Sequence, residues 1–262
     1  QDDEIWQAGM SDEPSATFGV AGVVGVAGQE QDKELLTPFT FPKGANAGSC
    51  LHWILEQFDF TQPIDQQRHH IEIGLQRFGI DSKWLNTVEE WLQSVMNVPL
   101  YSSENNFCLQ QISAEHKLVE MEFYFNFEQL NIDILSNALR MVGVGQGTDN
   151  KGVGVHSESV NGILKGFVDL TVCHQQTYYV LDYKSNYLGD QIDNYQQQDL
   201  QISMSDHNYY LQALIYILAL HRWLKQRLPN YDYHQHVGGA FYLFLRGMHS
   251  QDDLLNKELL EQ

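Results

Sequence analysis

The sequence predicts an α/β fold, a β-sheet with helices packed on it. Three segments read as strands: 118–125, 163–172 and 178–184. A long apolar helix is predicted over 209–227, followed by a β-rich run over 237–245. The order of helix, three strands, helix and strand is that of an α/β sheet.

The first helical pattern follows Gly48. Ser49 is placed to cap a helix, with Leu51, Ile54, Leu55 and Phe58 on one face. Residues 71–98 continue the helical spacing through Leu75, Phe78, Trp84, Leu85, Val88, Trp91, Leu92 and Val95. In 118–125, Val119, Met121, Phe123 and Phe125 alternate with Glu120, Glu122 and Tyr124. Residues 143–162 are polar and Gly-rich, hence a loop or insertion. The helix over 209–227 stops before Pro229, and no internal repeat is present.

Composition narrows the class. The 262 residues suffice for one large or two small domains, and 43% apolar residues exclude a mainly disordered chain. Fifteen Lys+Arg against 34 Asp+Glu leave a net charge of −19. Such a surface argues against nonspecific duplex binding, which rests on cations neutralising phosphates. A local DNA site remains open. No apolar run reaches the length of a membrane span. Cys50, Cys108 and Cys173 are widely spaced without CxxC, which suggests a reduced, intracellular protein.

Residues 1–42 carry eight acids and one base around the stretch TFGVAGVVGVAG. They read as a flexible acidic, Gly-rich tether, with a short partner-binding segment as the alternative. A domain over 43–250 and a tail over 251–262 complete the expected organisation. The chain opens on Gln1, so a piece of a longer protein is expected.

The chemistry gathers on the second and third strands. Strand pleating puts Phe167, Asp169 and Thr171 on one face and Val168, Leu170 and Val172 on the other. It likewise groups Tyr178, Val180, Asp182 and Lys184, against Tyr179, Leu181 and Tyr183. A hairpin centred on Gln175–Gln176 places Asp169 opposite Asp182. Carboxylates that close repel unless one is protonated or a cation lies between them, and a hard divalent ion, Mg²⁺ or Mn²⁺, fits. Lys184 could then assist a water or hold a phosphate oxygen. A surface Asp–Lys pair on an edge strand is the plain alternative.

Other candidates are weaker taken singly. His52, with Glu56 one turn on, could complete a metal site or be a structural histidine. Glu120 and Glu122 could support the site or be solvated. Gln212 and Tyr216 share one face of the long helix near Tyr209, where a buried Gln demands a partner. His69–His70 and His234-x-His236 read as surface features.

Together these residues resemble a known family. GSCLH at 48–52, KGFVD at 165–169, LDYKSN at 181–186 and YLQALIY at 210–216 are similar to the C-terminal nuclease domain of RecB-type subunits of bacterial helicase–nucleases. FTFPKGANAGS, DFTQPID, VEMEFYF, LALHRWL and YDYHQHVGGAFYLFLRGM extend the likeness over about 36–250. The resemblance implies a PD-(D/E)XK, restriction-endonuclease-like core, a mixed central β-sheet flanked by helices. It implies His52, Asp169, Asp182 and the Tyr183 carbonyl as metal ligands, Lys184 as the catalytic lysine, and Gln212 and Tyr216 as the QxxxY motif. Glu120 would support the site. The cofactor would be Mg²⁺, with Mn²⁺ substituting and Ca²⁺ binding with little catalysis. The substrate would be single-stranded DNA, cut exo- and endonucleolytically in double-strand-break repair and recombination. Partners would be RecC-like and RecD-like subunits and a RecA-type recombinase, with no membrane, in the bacterial cytoplasm. The rival class is a partner-docking module with secondary or lost activity. No Walker A motif is present.

Overall fold

A computed structural model describes residues 5–7, 35–101, 106–130 and 160–249. The stretches read as loop over 143–159, most of the tether and the tail lie outside the described residues. A short strand, β1 (Ile5–Gln7), comes first, then helices α1 (Ala45–Gln57), α2 (Arg68–Arg77) and α3 (Leu85–Asn97). A two-stranded ribbon, β2 (Leu100–Tyr101) and β3 (Asn106–Phe107), leads to the long strands β4 (Lys117–Leu130) and β5 (Val160–His174). Strand β6 (Thr177–Lys184) follows, then helices α4 (Gln197–Asp206), α5 (Tyr209–Arg227) and α6 (Tyr233–His236), and finally β7 (Val237–Phe244).

The sheet is mixed. β5 pairs antiparallel with β4 and β6, and β7 runs parallel to β6. β1 lies parallel on β5 at Ile163–Lys165, on the edge that β6 no longer covers. Each face buries its own core. One holds α1, α2 and α3 against Leu170, Val172, Tyr179, Leu181, Tyr183 and Leu243. The other holds α5, through Tyr216, Ala219, Leu220 and Leu224, against Met121, Phe123, Phe125, Val168 and Val180.

Several expectations change. The first helix starts at Ala45, not at a Ser49 cap: Gly44, at φ +90, supplies the left-handed residue before it. Ser49 lies in the helix. Residues Val160–Gly162, read as the end of the loop, belong to β5. Phe39 and Phe41, assigned to the tether by composition, are buried. They are held by Arg246, which is also buried and donates to the carbonyls of Pro38, Phe41, Pro42 and Ser185. Four carbonyl partners satisfy the guanidinium without a carboxylate.

The pleat also departs from simple alternation. Leu170 and Val172 pack with the α1–α3 core, whereas Val168 packs with α5. β4 makes the same switch, since Val119 joins the first core and Met121 the second. The break falls on the rung of Glu120 and Asp169, between the pairs Val119↔Leu170 and Met121↔Val168. Glu120 has φ +49, a left-handed conformation that rotates the strand and costs a non-glycine residue energy.

The β5–β6 turn is as short as a hairpin allows. Leu170↔Leu181 through His174↔Thr177 pair in register, leaving Gln175 and Gln176 at φ +49 and +68. Positive φ at both central residues is the signature of a type I′ turn, which favours Asn-Gly. Replacing Gln175-Gln176 by Asn-Gly should therefore stabilise the fold by about 1 kcal/mol. Calorimetry should show the melting temperature rising by roughly 2–4 °C. An unchanged or lower Tm would mean that the glutamines make compensating contacts.

Candidate active site

The site lies where the sheet divides. The β5–β6 ladder stops at Leu170↔Leu181. Beyond it β5 stays with β4, and β6 follows β7 as far as Lys184↔Phe244. The next rung is Asp169 and Asp182, the opposition that the hairpin argument predicted. With the ladder open, the backbone N–H of Tyr183 needs another acceptor, and it donates to Asp169 Oδ2 at 2.9 Å.

Helix α1 delivers His52 to this fork. Gly48, one turn earlier, lies against Ser185, and a Cβ there would stand 2.7 Å from the Ser185 Oγ. His52 Nε2 is 2.8 Å from the Tyr183 carbonyl oxygen, and Nδ1 is 3.6 Å from Asp169 Oδ2. So His52, Asp169, Asp182 and the Tyr183 carbonyl are brought together.

Asp182 is nearly sealed, at 3% exposure. Its carboxyl is pushed up to about 6, first by burial and then by the Asp169 charge, while Lys184 and His52 pull it back. Glu56 is also raised, by burial and then by the charge of Glu120, which is itself exposed. Glu122 instead pairs with Lys165 at 2.7 Å on the surface.

Lys184 Nζ sits 2.7 Å from Asp182 Oδ2 and 3.2 Å from Gln212 Oε1, with the Tyr209 ring centroid 3.8 Å away. Gln212 turns its amide nitrogen to Tyr216 Oη at 2.8 Å. Gln212, half-buried rather than buried, thus has a partner at each end of its amide. Sequence reasoning missed Tyr242, whose hydroxyl donates to Gln212 Oε1 at 3.1 Å. It stands opposite Asp182 in the parallel β6–β7 register. The strand pattern of 237–245 was readable, but not which β6 residue each position would face. Burial raises the phenols of Tyr216 and Tyr242 far above their ordinary value, so both stay protonated donors.

The remaining candidates stay apart from this chemistry. The His69 and His70 rings contact each other at 3.9 Å, and His236 Nδ1 bonds the Asp232 backbone. Burial pushes the Cys50 thiol up to about 12, which makes it inert.

The donor types suit a hard divalent cation: two carboxylates, a carbonyl and one imidazole. The crowding of Asp169 against a buried Asp182 is also the strain a cation relieves. Yet among the described residues no three His, Cys, Asp or Glu side chains converge as a metal cage. Each candidate ligand has a protein partner: His52 has the Tyr183 carbonyl, Asp169 the Tyr183 N–H, and Asp182 Lys184. Holding a metal would mean exchanging some of these contacts.

Comparison with known proteins agrees. Residues 30–262 match the family model of the PD-(D/E)XK nuclease superfamily. The chain is 41% identical over 241 residues to RecBCD enzyme subunit RecB of Escherichia coli (strain K12), covering 90% of this chain and 19% of that protein. The same subunit of Haemophilus influenzae is 32% identical over 216 residues, covering 80% and 17%. That of Mycobacterium tuberculosis is 28% identical over 247 residues, covering 85% and 22%. The chain thus spans about a fifth of the length of these relatives. No helix among the described residues is long and apolar enough to cross a membrane.

The raised Asp182 carboxyl has a consequence for stability. Its folded value of about 6 exceeds the unfolded 3.8, so the fold favours the protonated form. That stabilisation is complete below pH 3.8 and is lost as pH rises through about 6. In EDTA, Asp182→Asn should be more stable than wild type at pH 8, by on the order of 2 kcal/mol. The advantage should vanish at pH 4. Urea midpoints at the two pH values check this, and an equal difference at both would refute it.

Proposed function

The chain belongs to the PD-(D/E)XK nuclease superfamily, and from that premise we propose that it is a Mg²⁺-dependent DNA nuclease domain of a RecB-like subunit. Single-stranded DNA is the proposed substrate, cut exo- and endonucleolytically during double-strand-break repair and recombination. The observation that carries this reading is the fork itself: Asp169 and Asp182 on one rung, with His52, the Tyr183 carbonyl and Lys184 gathered around it.

His52, Asp169, Asp182 and the Tyr183 carbonyl are the proposed ligands. When bound, a divalent cation polarises the scissile phosphate and lowers the pKa of an attacking water. The chain's own part is orientation and proton placement. Lys184 spends one donor on Asp182 and one on Gln212. Its third is left to meet a phosphate oxygen and stabilise charge building there. Gln212 and Tyr216 fix where that ammonium stands, and Tyr242 fixes Gln212. Glu120 adds negative charge at the edge of the site.

The relatives' name places them in the RecBCD enzyme. We extend this to RecC-like and RecD-like partners, a RecA-type recombinase as a further contact, and the bacterial cytoplasm as the setting. Residues 43–250 are proposed as the nuclease domain, with Phe39 and Phe41 of the preceding segment packed into it, and 251–262 as a tail.

A labelled single strand should be degraded with Mg²⁺ or Mn²⁺, spared in EDTA and cut slowly with Ca²⁺. Asp169→Ala and Asp182→Ala should abolish cleavage. An intact fold that binds partner subunits but cuts nothing with any of these ions would favour the docking module instead.

Lys184→Gln tests a separate role. Turnover should fall by roughly 10²–10⁴ while calorimetric metal affinity survives, because the ligands remain. Loss of both together would make Lys184 structural.

A further inference from the structure

The β4–β5 ribbon carries a surface that neither core uses. Successive rungs present Tyr124 opposite Lys165, then Glu122 opposite Phe167, and the next rung is Glu120 and Asp169. Tyr124 is 57% exposed and Phe167 42%, two large rings exposed side by side on one ribbon. Lys165 Nζ lies between them, 5.4 Å from the Tyr124 centroid and 5.1 Å from that of Phe167. Glu122 holds it there at 2.7 Å. Phe167 is two residues from Asp169, roughly 6.6 Å along the strand.

We propose that Tyr124 and Phe167 form a stacking platform for unpaired bases of single-stranded DNA beside the scissile phosphate, with Lys165 setting the spacing of the rings. This rests on the nuclease reading of the fork and deepens it. Two observations select this occupant. The platform is continuous with the carboxylate rung, so whatever chain reaches Asp169 along the ribbon crosses the rings. The lysine is neutralised by Glu122 in a chain of net charge −19, so little phosphate attraction is on offer and ring faces must supply the hold. Stacking on aromatic side chains is sequence-tolerant and needs bases freed from a duplex. The platform would thus select single strands without reading sequence.

The test is equilibrium binding of the 262-residue chain in EDTA, where nothing is cut, read by fluorescence anisotropy. The probes are a labelled mixed-sequence single-stranded oligodeoxynucleotide and its fully abasic counterpart. Phe167→Ser and Tyr124→Ser should each weaken binding of the base-bearing strand about ten-fold and leave the abasic strand unchanged. Tyr101→Ser, a control at a still more exposed ring outside the ribbon, should change neither. Unchanged affinity in both platform variants would overturn the proposal. Equal losses on both strands, or no measurable binding by the wild type, would overturn it too. Cleavage measured separately keeps the two readings distinct. Binding that depends on the rings without cleavage in Mg²⁺ sinks only the nuclease, and cleavage indifferent to the rings sinks only the platform.

Discussion

Two carboxylates on one rung of a hairpin constrain almost everything around them. Asp169 and Asp182 cannot sit in a closed ladder at low cost, and the ladder ends one rung before them. Opening it frees the Tyr183 N–H, which Asp169 then accepts. The same opening leaves the Tyr183 carbonyl to His52, while β6 stays paired with β7 along its length. The edge of β5 thereby vacated is where β1 pairs. The left-handed Glu120 belongs to the same event, because the strands on either side of its rung face different cores. The fork is therefore a change in sheet geometry as well as a cluster of acids.

Rigidity around the fork comes from opposite directions. α1 is pressed onto the Lys184–Ser185 turn at Gly48, where nothing larger fits without displacement. α5 closes from the other face, where Gln212, held by Tyr216, bonds the Lys184 that pairs with Asp182. Arg246 then fastens the entering segment at Pro38, Phe41 and Pro42 to the Ser185 carbonyl, immediately past Lys184. A buried cation satisfied only by carbonyls is costly to build and hard to replace, so it sets the approach of that segment more strictly than apolar packing would.

Much of this was legible from the residues. The alternation of 178–184, the short Cys173–Thr177 connection and the apolar run before Pro229 gave the hairpin, its register and the long helix. The Asp169–Asp182 opposition came from register alone. What escaped depends on events that periodicity does not encode. One left-handed residue at Glu120 reverses which core a strand faces, and nothing in VEMEFYF announces it. Gly44 rather than Ser49 starts α1 because the chain enters through a positive φ, while Gly48 answers to a neighbour 137 residues away in sequence. Tyr242 joins the site through parallel pairing with β6, and parallel registers leave no short turn from which to count. Arg246 drew no reading from the sequence because its partners are backbone carbonyls, which have no sequence signature.

On the nuclease reading, the net charge sets the remaining problem. At −19 the chain repels a polyanion at long range, and Asp169 and Asp182 add two carboxylates at the fork. The cations found near the ribbon and fork are engaged: Lys165 with Glu122, Lys184 with Asp182, and Lys43 over the Tyr187 ring. On the nuclease reading, capture by charge is therefore weak, and two other contributions must replace it. One is short-range and uncharged, the stacking of bases on exposed rings. The other is delivery: a site tethered to further strand-holding parts would meet its strand at high effective concentration. Both suit a domain that acts on whatever strand is brought to it, because neither rewards binding to DNA encountered by diffusion.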